Sequence, residues 1–228
     1  MFAFKEYFLT HSNDVIEEGV HDPAKLKAIF LAGGPGSGKS HVVNHVRGDL
    51  GFKMVNSDDI LEHKMKQHGL SMKMPPEEES KRDVVRTHAK ELTQKRQAGY
   101  QHGRLGMIID GTGKDFDEIK RKSEHLKSLG YDTHMLHINT TLDVAHKRNA
   151  MRPRSVPEHI VTHGWNQVQK NIPKFKGHFG ENFRSVDNSQ EGTDPQAINK
   201  LHKHIRKIAS SEVQNPVGKK WIESGGKQ

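Results

Sequence analysis

The chain has 228 residues, of which 32% are hydrophobic and 28% charged, and its formal net charge is +8. It contains no cysteine, which excludes disulfides, thiolate metal sites and cysteine nucleophiles. No run approaches the roughly 18 apolar residues of a membrane span. We therefore expect a cytoplasmic protein with no membrane partner, built as one domain with an appendage.

The first predicted elements are a helix over residues 2–19 and a strand over residues 27–32. Gly19 and Pro23 mark the break between them. The strand reads Lys-Ala-Ile-Phe-Leu-Ala, a short apolar run with β-branched and aromatic members. Such a run is typical of a buried strand in a parallel sheet.

The next eight residues, 33–40, match the phosphate-binding pattern G-x-x-x-x-G-K-[ST], also called Walker A. Glycines let the backbone turn with positive φ, and successive N–H groups then form an anion site at a helix N-terminus. Lys39 would reach the β- and γ-phosphates of ATP, and Ser40 would hold Mg²⁺. The predicted nucleotide-binding residues are Gly33, Gly34, Pro35, Gly36, Ser37, Gly38, Lys39, Ser40 and His41.

Strands and helices alternate along the rest of the chain. Predicted strands cover residues 51–56, 105–110, 131–138 and 183–187; predicted helices cover about 57–69, 75 to 99 or 103, 115–129, 141–152, 157–172 and 196–211. This alternation predicts an α/β fold, a P-loop NTPase fold of three layers in which helices flank a central parallel sheet of about five strands. We expect an N-terminal helix (1–22), a kinase domain (23–190) with a lid around 145–157, and a basic C-terminal helix and tail (191–228).

The C-terminal segment carries an excess of positive charge. Residues 195–228 contain seven lysines and arginines against two glutamates, so seven minus two gives +5 of the net +8. Two interpretations stay open. The charge contacts a nucleic acid or another phosphate-rich partner, or it belongs to a solvated helix face and a flexible tail.

Acidic residues follow two of the predicted strands. Asp58 and Asp59 follow the second strand, and Asp110 ends the third, just before Gly-Thr112. Ligands of an open parallel sheet bind beyond the carboxyl ends of its strands. Asp58 is therefore our candidate general base for an acceptor hydroxyl, unless it or Asp59 only caps the helix. Asp110 either contacts the acceptor or serves Mg²⁺.

Arginines follow the fourth predicted strand. Arg148 and Arg152 are four residues apart and so share one helix face, and Arg154 comes just after Pro153. Arginines at this place neutralise charge on a transferring phosphoryl group. Lys39, Asp58 and Arg148 are thus the predicted catalytic residues, although Arg152 also suits a plain surface position.

Several of these stretches resemble zeta toxins and bacteriophage polynucleotide kinases. Residues 55–59 (Val-Asn-Ser-Asp-Asp) resemble the place where both families carry a catalytic aspartate. Residues 107–112 (Met-Ile-Ile-Asp-Gly-Thr) resemble the zeta pattern of an apolar strand, an acidic residue and Gly-Thr. Residues 146–157 resemble the arginine-bearing lid of both families. The resemblance covers about residues 27–190.

The resemblance implies a P-loop kinase with a central phosphate-loop strand, using ATP and Mg²⁺. It implies Asp58 as base, Asp110 and Thr112 facing the acceptor, and Arg148 and Arg154 on the ATP phosphates. The implied acceptor is a hydroxyl of a nucleotide, nucleotide sugar or polynucleotide. One departure weighs against a nucleic-acid 5′ end and a UDP-N-acetyl sugar: Leu61 stands where both families usually carry an arginine.

A second function hypothesis belongs to a different class. The chain would be a non-catalytic ATP-binding module whose basic tail holds a nucleic acid or a protein partner. A regulatory GTPase is disfavoured, because the sequence has no Asn-Lys-x-Asp element for reading guanine. Transfer of the γ-phosphate to an acceptor distinguishes the kinase from the binding module.

Overall fold

The computed structural model describes residues 22–44, 50–73, 75–152, 155–190 and 195–226. The predicted N-terminal helix over residues 2–19 lies outside the described residues, as do Pro153 and Arg154 of the predicted lid. The division of the chain into three segments therefore stays a prediction.

The described residues form five strands and eight α-helices. The strands are β1 Lys27–Ala32, β2 Lys53–Val55, β3 Met107–Ile109, β4 Asp132–Asn139 and β5 Phe183–Asp187. The helices are α1 Lys39–Asn44, α2 Ser57–Gln67, α3 Glu79–His102, α4 Phe116–Ser128, α5 Leu142–Ala150, α6 Glu158–Phe179, α7 Pro195–Ser210 and α8 Pro216–Glu223. Within this part of the chain, no helix combines the length and apolar character needed to cross a membrane.

All neighbouring strands are parallel, and their order is β2-β3-β1-β4-β5. The strand that leads into the phosphate loop, β1, is therefore the central one. The predicted α/β fold with a parallel sheet of about five strands is confirmed. The carboxyl ends of β1, β2 and β3 meet at one edge, which places the phosphate loop beside the two acidic stretches.

The side chains of β1 alternate between two cores, one on each side of the sheet. One core contains Ile29 and Leu31 with residues of α7; the other contains Ala28, Phe30 and Ala32 with residues of α4 and α6. Helices thus cover both faces, which is the predicted three-layer arrangement. Members of α7 in the first core are Leu201, Ile205 and Ile208.

A third, smaller cluster joins α2 to α3. Leu61 and Met65 of α2 pack there with Val85 and Ala89 of α3. Val84, the neighbour of Val85, has a side chain that is 57% exposed. The core stripe of α3 runs through Val85 and Ala89 and leaves Val84 on another face of the helix.

Helix α6 is longer than predicted, since it continues past Pro173 to Phe179. A proline inside a helix removes one backbone hydrogen bond, so continuation past Pro173 needs a compensating gain. Phe175 and Phe179 are both buried in the core beside Phe30. Burial of these rings on the far side of the proline explains why the helix continues.

The predicted C-terminal tail contains a further helix, α8, that packs on the domain. Its N-cap is Asn215, whose side-chain oxygen accepts from the N–H of Val217 at 2.9 Å. The amide nitrogen of Asn215 donates to the carbonyls of Lys127 and Tyr131 at 2.7 and 3.2 Å. A flexible tail is therefore wrong for this stretch, because the Asn-Pro pair starts a helix and also anchors it.

A buried ion pair holds the segment before α8. Lys27 of β1 and Asp132 of β4 are opposite each other in the sheet, with 2.7 Å between Nζ and Oδ2. The Lys27 ammonium also donates to the carbonyl of Glu212 at 2.9 Å. The carboxylate of Asp132 accepts from the backbone N–H groups of Gln214 and Asn215, both at 2.8 Å. The chain thus crosses the sheet end opposite the phosphate loop.

Candidate active site

The phosphate loop follows β1 and adopts a conformation that only glycine fits at three positions. Gly33, Gly36 and Gly38 have φ of 156°, 78° and 84°. A Cβ on Gly36 would overlap the backbone carbonyl of Ala145, and one on Gly38 would overlap the side-chain amide of Asn188. These glycines let the loop turn while α5 and the end of β5 approach it closely.

The remaining glycine of the loop, Gly34, has no positive φ, contrary to the sequence prediction. Its position is set by helix α6 instead: a Cβ there would lie 3.4 Å from the backbone nitrogen of Trp165. The neighbouring Gly164 makes room for Pro35 and Lys114, whose Cδ and Cε would be 3.1 and 2.9 Å from an added Cβ. Helix α6 therefore braces the loop and brings Lys114 to it.

Lys39 begins α1, and its ammonium donates to the carbonyl of Gly33 at 2.6 Å. Burial lowers the pKa of Lys39, and the positive charges of Arg152 and Lys114 act in the same direction. The carboxylates of Asp110 and Asp58 oppose this and raise the pKa. The predicted lysine thus lies within electrostatic reach of both predicted acidic residues.

Asp110 follows β3 directly, and its backbone N–H donates to the carbonyl of Val55 at 2.9 Å. Its Oδ1 is buried and has no hydrogen-bond partner within the described part of the chain. Burial raises the pKa of Asp110, Lys39 lowers it, and the carboxylates of Asp58 and Asp59 raise it further. A buried polar atom without a partner calls for an explanation, and an absent ligand is one.

Asp58 and Asp59 lie in the first turn of α2, but neither is its N-cap. That residue is Asn56, whose side-chain oxygen accepts from the N–H of Asp58 at 2.8 Å. Oδ1 of Asp59 accepts from the amide nitrogen of Asn56 at 3.2 Å. The alternative that Asp58 or Asp59 only caps the helix is therefore wrong, because Asn56 does so.

Arg148 of α5 lies beside the phosphate loop. Its Nη1 donates to the carbonyl of Asn188 at 2.8 Å and its Nη2 to the carbonyl of Gln190 at 2.7 Å. Nη1 is also 3.6 Å from the position that a Cβ on Gly38 would take. Arg152 is exposed, and its charge acts on Lys39. The structure thus brings both of these predicted arginines near the loop.

Asn188 is a residue that the sequence interpretation missed. Its side-chain amide donates to the carbonyl of Ser37 at 2.8 Å, while its own carbonyl accepts from Arg148. Its backbone N–H donates to the carbonyl of Asn139 at 2.8 Å, which continues the pairing of β5 with β4. A polar residue just after the fifth strand was the available signal, since the same strand-end rule selected Asp58 and Asp110.

The Asp-Gly-Thr stretch connects β3 to the phosphate loop. The carbonyl of Thr112 accepts from the N–H of Gly33 at 2.9 Å, and its exposed hydroxyl accepts from the N–H of Lys114 at 3.4 Å. Gly113 has φ of 80° and lies against Ala32. The stretch therefore turns toward the phosphate loop as soon as the strand ends.

A cavity of about 580 Å³ lies between α3 and α4, next to these residues. Asp110, Thr112 and Ser57 line one end of it, and Val55 and Ile109 form an apolar floor. A second cavity of about 640 Å³ lies at the other end of the sheet, beside Asp22 and α8. None of the predicted site residues lines the second cavity, so the first one is the candidate acceptor site.

The donor set suits Mg²⁺ bound together with phosphates. Ser40 is exposed at the start of α1, next to His41, and Asp110 offers the buried unpartnered oxygen. No group of three histidines or carboxylates forms a metal cluster among the described residues. Mg²⁺ needs no such cluster, because it binds through one or two protein oxygens, waters and substrate phosphates.

A family model described as an AAA domain matches residues 29–174, well over half of the chain. The chain belongs to this AAA-domain family. The match spans the phosphate loop, both acidic stretches, Arg148 of α5 and Arg152 just beyond that helix. No curated protein matches this AAA-domain chain.

Solved structures with a similar fold include proteins of several kinds. A protein of Chloroflexus aurantiacus provisionally assigned as a kinase is 17% identical, with a TM-score of 0.57 over 80% of this chain and 97% of that one. The PezAT toxin–antitoxin system of Streptococcus pneumoniae is 16% identical, with a TM-score of 0.55 over 98% of this chain and 91% of that one. The AvrRxo1-ORF1:ORF2 complex with ATP is 14% identical, with a TM-score of 0.58 over 85% of this chain and 69% of that one.

These similarities confirm the predicted P-loop kinase-like fold for the AAA domain. The fold does not by itself establish a function, whereas the phosphate-loop motif of residues 33–40 points to nucleotide binding. At identities below 20%, the similarities speak for the fold alone.

Proposed function

We propose that this AAA domain is an ATP-dependent kinase that transfers the γ-phosphate to an acceptor hydroxyl. One observation carries the proposal: Lys39 of the phosphate loop lies within electrostatic reach of Asp58 and Asp110. Asp110 also lines the cavity of about 580 Å³. A phosphate-binding lysine and two carboxylates are thus in electrostatic contact, and one of these carboxylates lines a cavity suited to a second substrate.

The phosphate loop would bind the nucleotide. Its N–H groups and Lys39 would hold the β- and γ-phosphates, and Arg148 with Arg152 would neutralise the charge that spreads over the transferring group. Arg154 is given the same role only because of the resemblance to zeta toxins and bacteriophage polynucleotide kinases. Ser40 and Asp110 would hold Mg²⁺, which neutralises phosphate charge when it is bound.

Asp58 is the base in this proposal. It belongs to the first turn of α2, directly beyond β2, and its charge acts on both Lys39 and Asp110. Asp59 also acts on Asp110, but it is hydrogen-bonded to the cap residue Asn56. Asp58 would accept the hydroxyl proton as the oxygen attacks the γ-phosphorus.

The resemblance offers three acceptor classes: a nucleotide, a nucleotide sugar or a polynucleotide. The packing of Leu61 weighs against the polynucleotide 5′ end and the UDP-N-acetyl sugar. The families' arginine at this position binds the acceptor, whereas Leu61 is 4% exposed and belongs to the cluster between α2 and α3. The acceptor would therefore be held by other residues of the crevice.

The proposal is tested by following γ-labelled ATP on thin layers with a panel of nucleosides, nucleotide sugars, oligonucleotides, sugars and cyclitols. A kinase gives a labelled acceptor. ATP binding without transfer to any acceptor would instead support the non-catalytic ATP-binding module. No ATP binding at all would contradict both functions.

A further inference from the structure

One face of α3 is polar where an amphipathic helix is usually apolar. Lys90, Thr93, Gln94 and Gln97 stand at i, i+3, i+4 and i+7, which is the spacing of a single helix face. All four line the cavity of about 580 Å³. The core-facing side of α3 runs instead through Val85 and Ala89. The polar stripe of α3, residues 90, 93, 94 and 97, therefore faces a site and not a core.

The stripe offers hydrogen bonds across an apolar floor. Gln94 and Gln97 each carry an amide that both donates and accepts, and both residues line the cavity. Val55 and Ile109 form the floor, and Ile119 of α4 adds to it. A ligand with C–H groups on one side and hydroxyls on the other matches this lining.

The cavity has no free aromatic surface on which a nucleobase could stack. Phe30 is the one aromatic residue among those that line it, and it is 2% exposed. Its ring packs against Phe179, with 5.9 Å between the ring centroids. Proteins that hold bases commonly stack them on aromatic side chains. The lining thus disfavours an acceptor that must bury a base here.

The charged groups of the lining balance. Three lysines minus three carboxylates gives zero: Lys90, Lys114 and Lys122 against Asp110, Asp115 and Glu118. Lys122 and Glu118 moreover pair with each other at 2.6 Å. Sites for polyanions carry an excess of positive charge. The balance therefore favours an uncharged acceptor.

We propose that the polar stripe of α3 binds the acceptor, and that the acceptor is a small, uncharged, non-aromatic polyol such as a sugar or a cyclitol. The inference rests on the proposed kinase function and names its second substrate. Ring C–H groups lie over Val55 and Ile109, and hydroxyls bind Gln94 and Gln97. An acceptor oxygen bonds to the γ-phosphorus, the bond from that phosphorus to ADP breaks, and Asp58 takes the hydroxyl proton.

The test uses the full chain with γ-labelled ATP and two acceptor sets. The first set is glucose, N-acetylglucosamine, glycerol and myo-inositol; the second is uridine, UDP-N-acetylglucosamine and an oligonucleotide with a free 5′-hydroxyl. We expect label on a member of the first set. Label confined to the second set, or absent from every polyol, overturns the inference.

Variants of the stripe sharpen the test. Gln94→Leu and Gln97→Leu each remove a hydrogen bond, so we expect the KM for the polyol to rise roughly tenfold or more while the Kd for ATP stays the same. Glu91→Gln, on an exposed position of the same helix, is the control and leaves both constants unchanged. Polyol kinetics in both leucine variants equal to those of the control would overturn the inference.

Failure of the acceptor class can be distinguished from failure of the kinase proposal. If the unmodified chain binds and hydrolyses ATP, Lys39→Ala loses both activities and no polyol is phosphorylated, then the nucleotide site is supported and only the acceptor class is refuted. An unmodified chain that neither binds nor hydrolyses ATP removes the kinase proposal itself.

Discussion

We propose Asp58, and not its neighbour Asp59, as the aspartate that acts on the acceptor. Asp59 is hydrogen-bonded to the cap residue Asn56, whereas the carboxylate of Asp58 acts on both Lys39 and Asp110. Asp58→Asn keeps the size of the side chain and removes its basicity. We expect phosphoryl transfer to fall by the ~10²–10⁴-fold typical of a lost general base, with ATP affinity nearly unchanged.

Asp59→Asn is the matched control, and it should reduce transfer much less than Asp58→Asn. Initial rates at saturating ATP, with a calorimetric Kd for each variant, give the ranking. If Asp59→Asn loses activity while Asp58→Asn stays active, the base is Asp59 and not Asp58. If both variants keep full activity, neither aspartate is the base, and the acceptor site lies around Asp110 and Thr112.

Among single residues, the sequence predicted those that belong to a local motif and missed those whose role depends on a contact with a distant part of the chain. Lys39 was predictable because the phosphate loop fixes its spacing. The link from Asn188 to Ser37 joins residues 151 positions apart, and no local pattern records it. Asn56 was missed as the helix cap because serine and aspartate, both good caps, directly follow it.

Among the elements, α8 and the segment before it depend on the Lys27–Asp132 pair. The side chains of Lys27 and Asp132 are 2% and 9% exposed. Asp132→Ala would leave the buried ammonium without its carboxylate and two backbone N–H groups without their acceptor. We expect the free energy of unfolding to fall by about 3–5 kcal/mol, as for other buried pairs that lose one partner.

Urea unfolding of Asp132→Ala beside Asp83→Ala measures this difference. Asp83 forms an exposed ion pair with Arg86 at 3.5 Å, and such pairs contribute only about 0–1 kcal/mol. Equal losses in the two variants would show that the buried pair does not anchor the C-terminal segment.

β1 and β5 agree with the predicted ranges residue for residue. An apolar run delimits β1, whereas the local signal for β5 was weak, since residues 183–187 alternate apolar and polar side chains only in part. Helix α8 was missed because it has eight residues and contains Gly218, which suggests a turn. That glycine is buried against Gly130, so a long-range contact and not helix propensity explains it.

For the molecule as a whole, two histidines of the central sheet make stability depend on pH. Burial lowers the pKa of His134 and of His137 to about 4. Positive neighbours add to this: Lys27 and His204 near His134, and Lys176 and Lys39 near His137, while Asp132 opposes it at His134. Both imidazoles are therefore neutral in the fold at neutral pH.

The sign of the effect follows from the lowered pKa. The unfolded chain binds these protons near pH ~6.5, and the folded chain only near its own value. Stability is complete above pH ~6.5 and falls as the pH drops toward 4, by up to about 1.4 kcal/mol per pH unit for each histidine. The raised pKa of Asp110 acts in the opposite direction, since its protonated form is favoured by folding.

Urea midpoints between pH 7.5 and 5 measure this dependence, and His137→Gln should flatten it. His63→Gln, which changes an exposed residue of α2, serves as the control and keeps the full slope. A slope that His137→Gln leaves unchanged would show that His137 does not carry the dependence.

At the scale of the whole molecule, the alternation of strands and helices was enough to predict a parallel α/β sheet. The strand order was not contained in that alternation, and the central place of β1 came from the family resemblance. The cavity chemistry was not predictable either. Residues 90, 93, 94 and 97 line a site only because α3 turns Val85 and Ala89 toward α2, and that rotation is set by packing between helices.

The central claim is that the phosphate loop supports γ-phosphate transfer, and Lys39→Ala tests it most directly. The variant removes the charge that holds the β- and γ-phosphates. The measurement is label transfer from γ-labelled ATP, with calorimetric ATP affinity, beside Lys203→Ala, which changes an exposed lysine of α7. We predict transfer by the unmodified chain and by Lys203→Ala, and strongly weakened ATP binding or transfer in Lys39→Ala. Unchanged affinity together with unchanged transfer in Lys39→Ala would contradict the account.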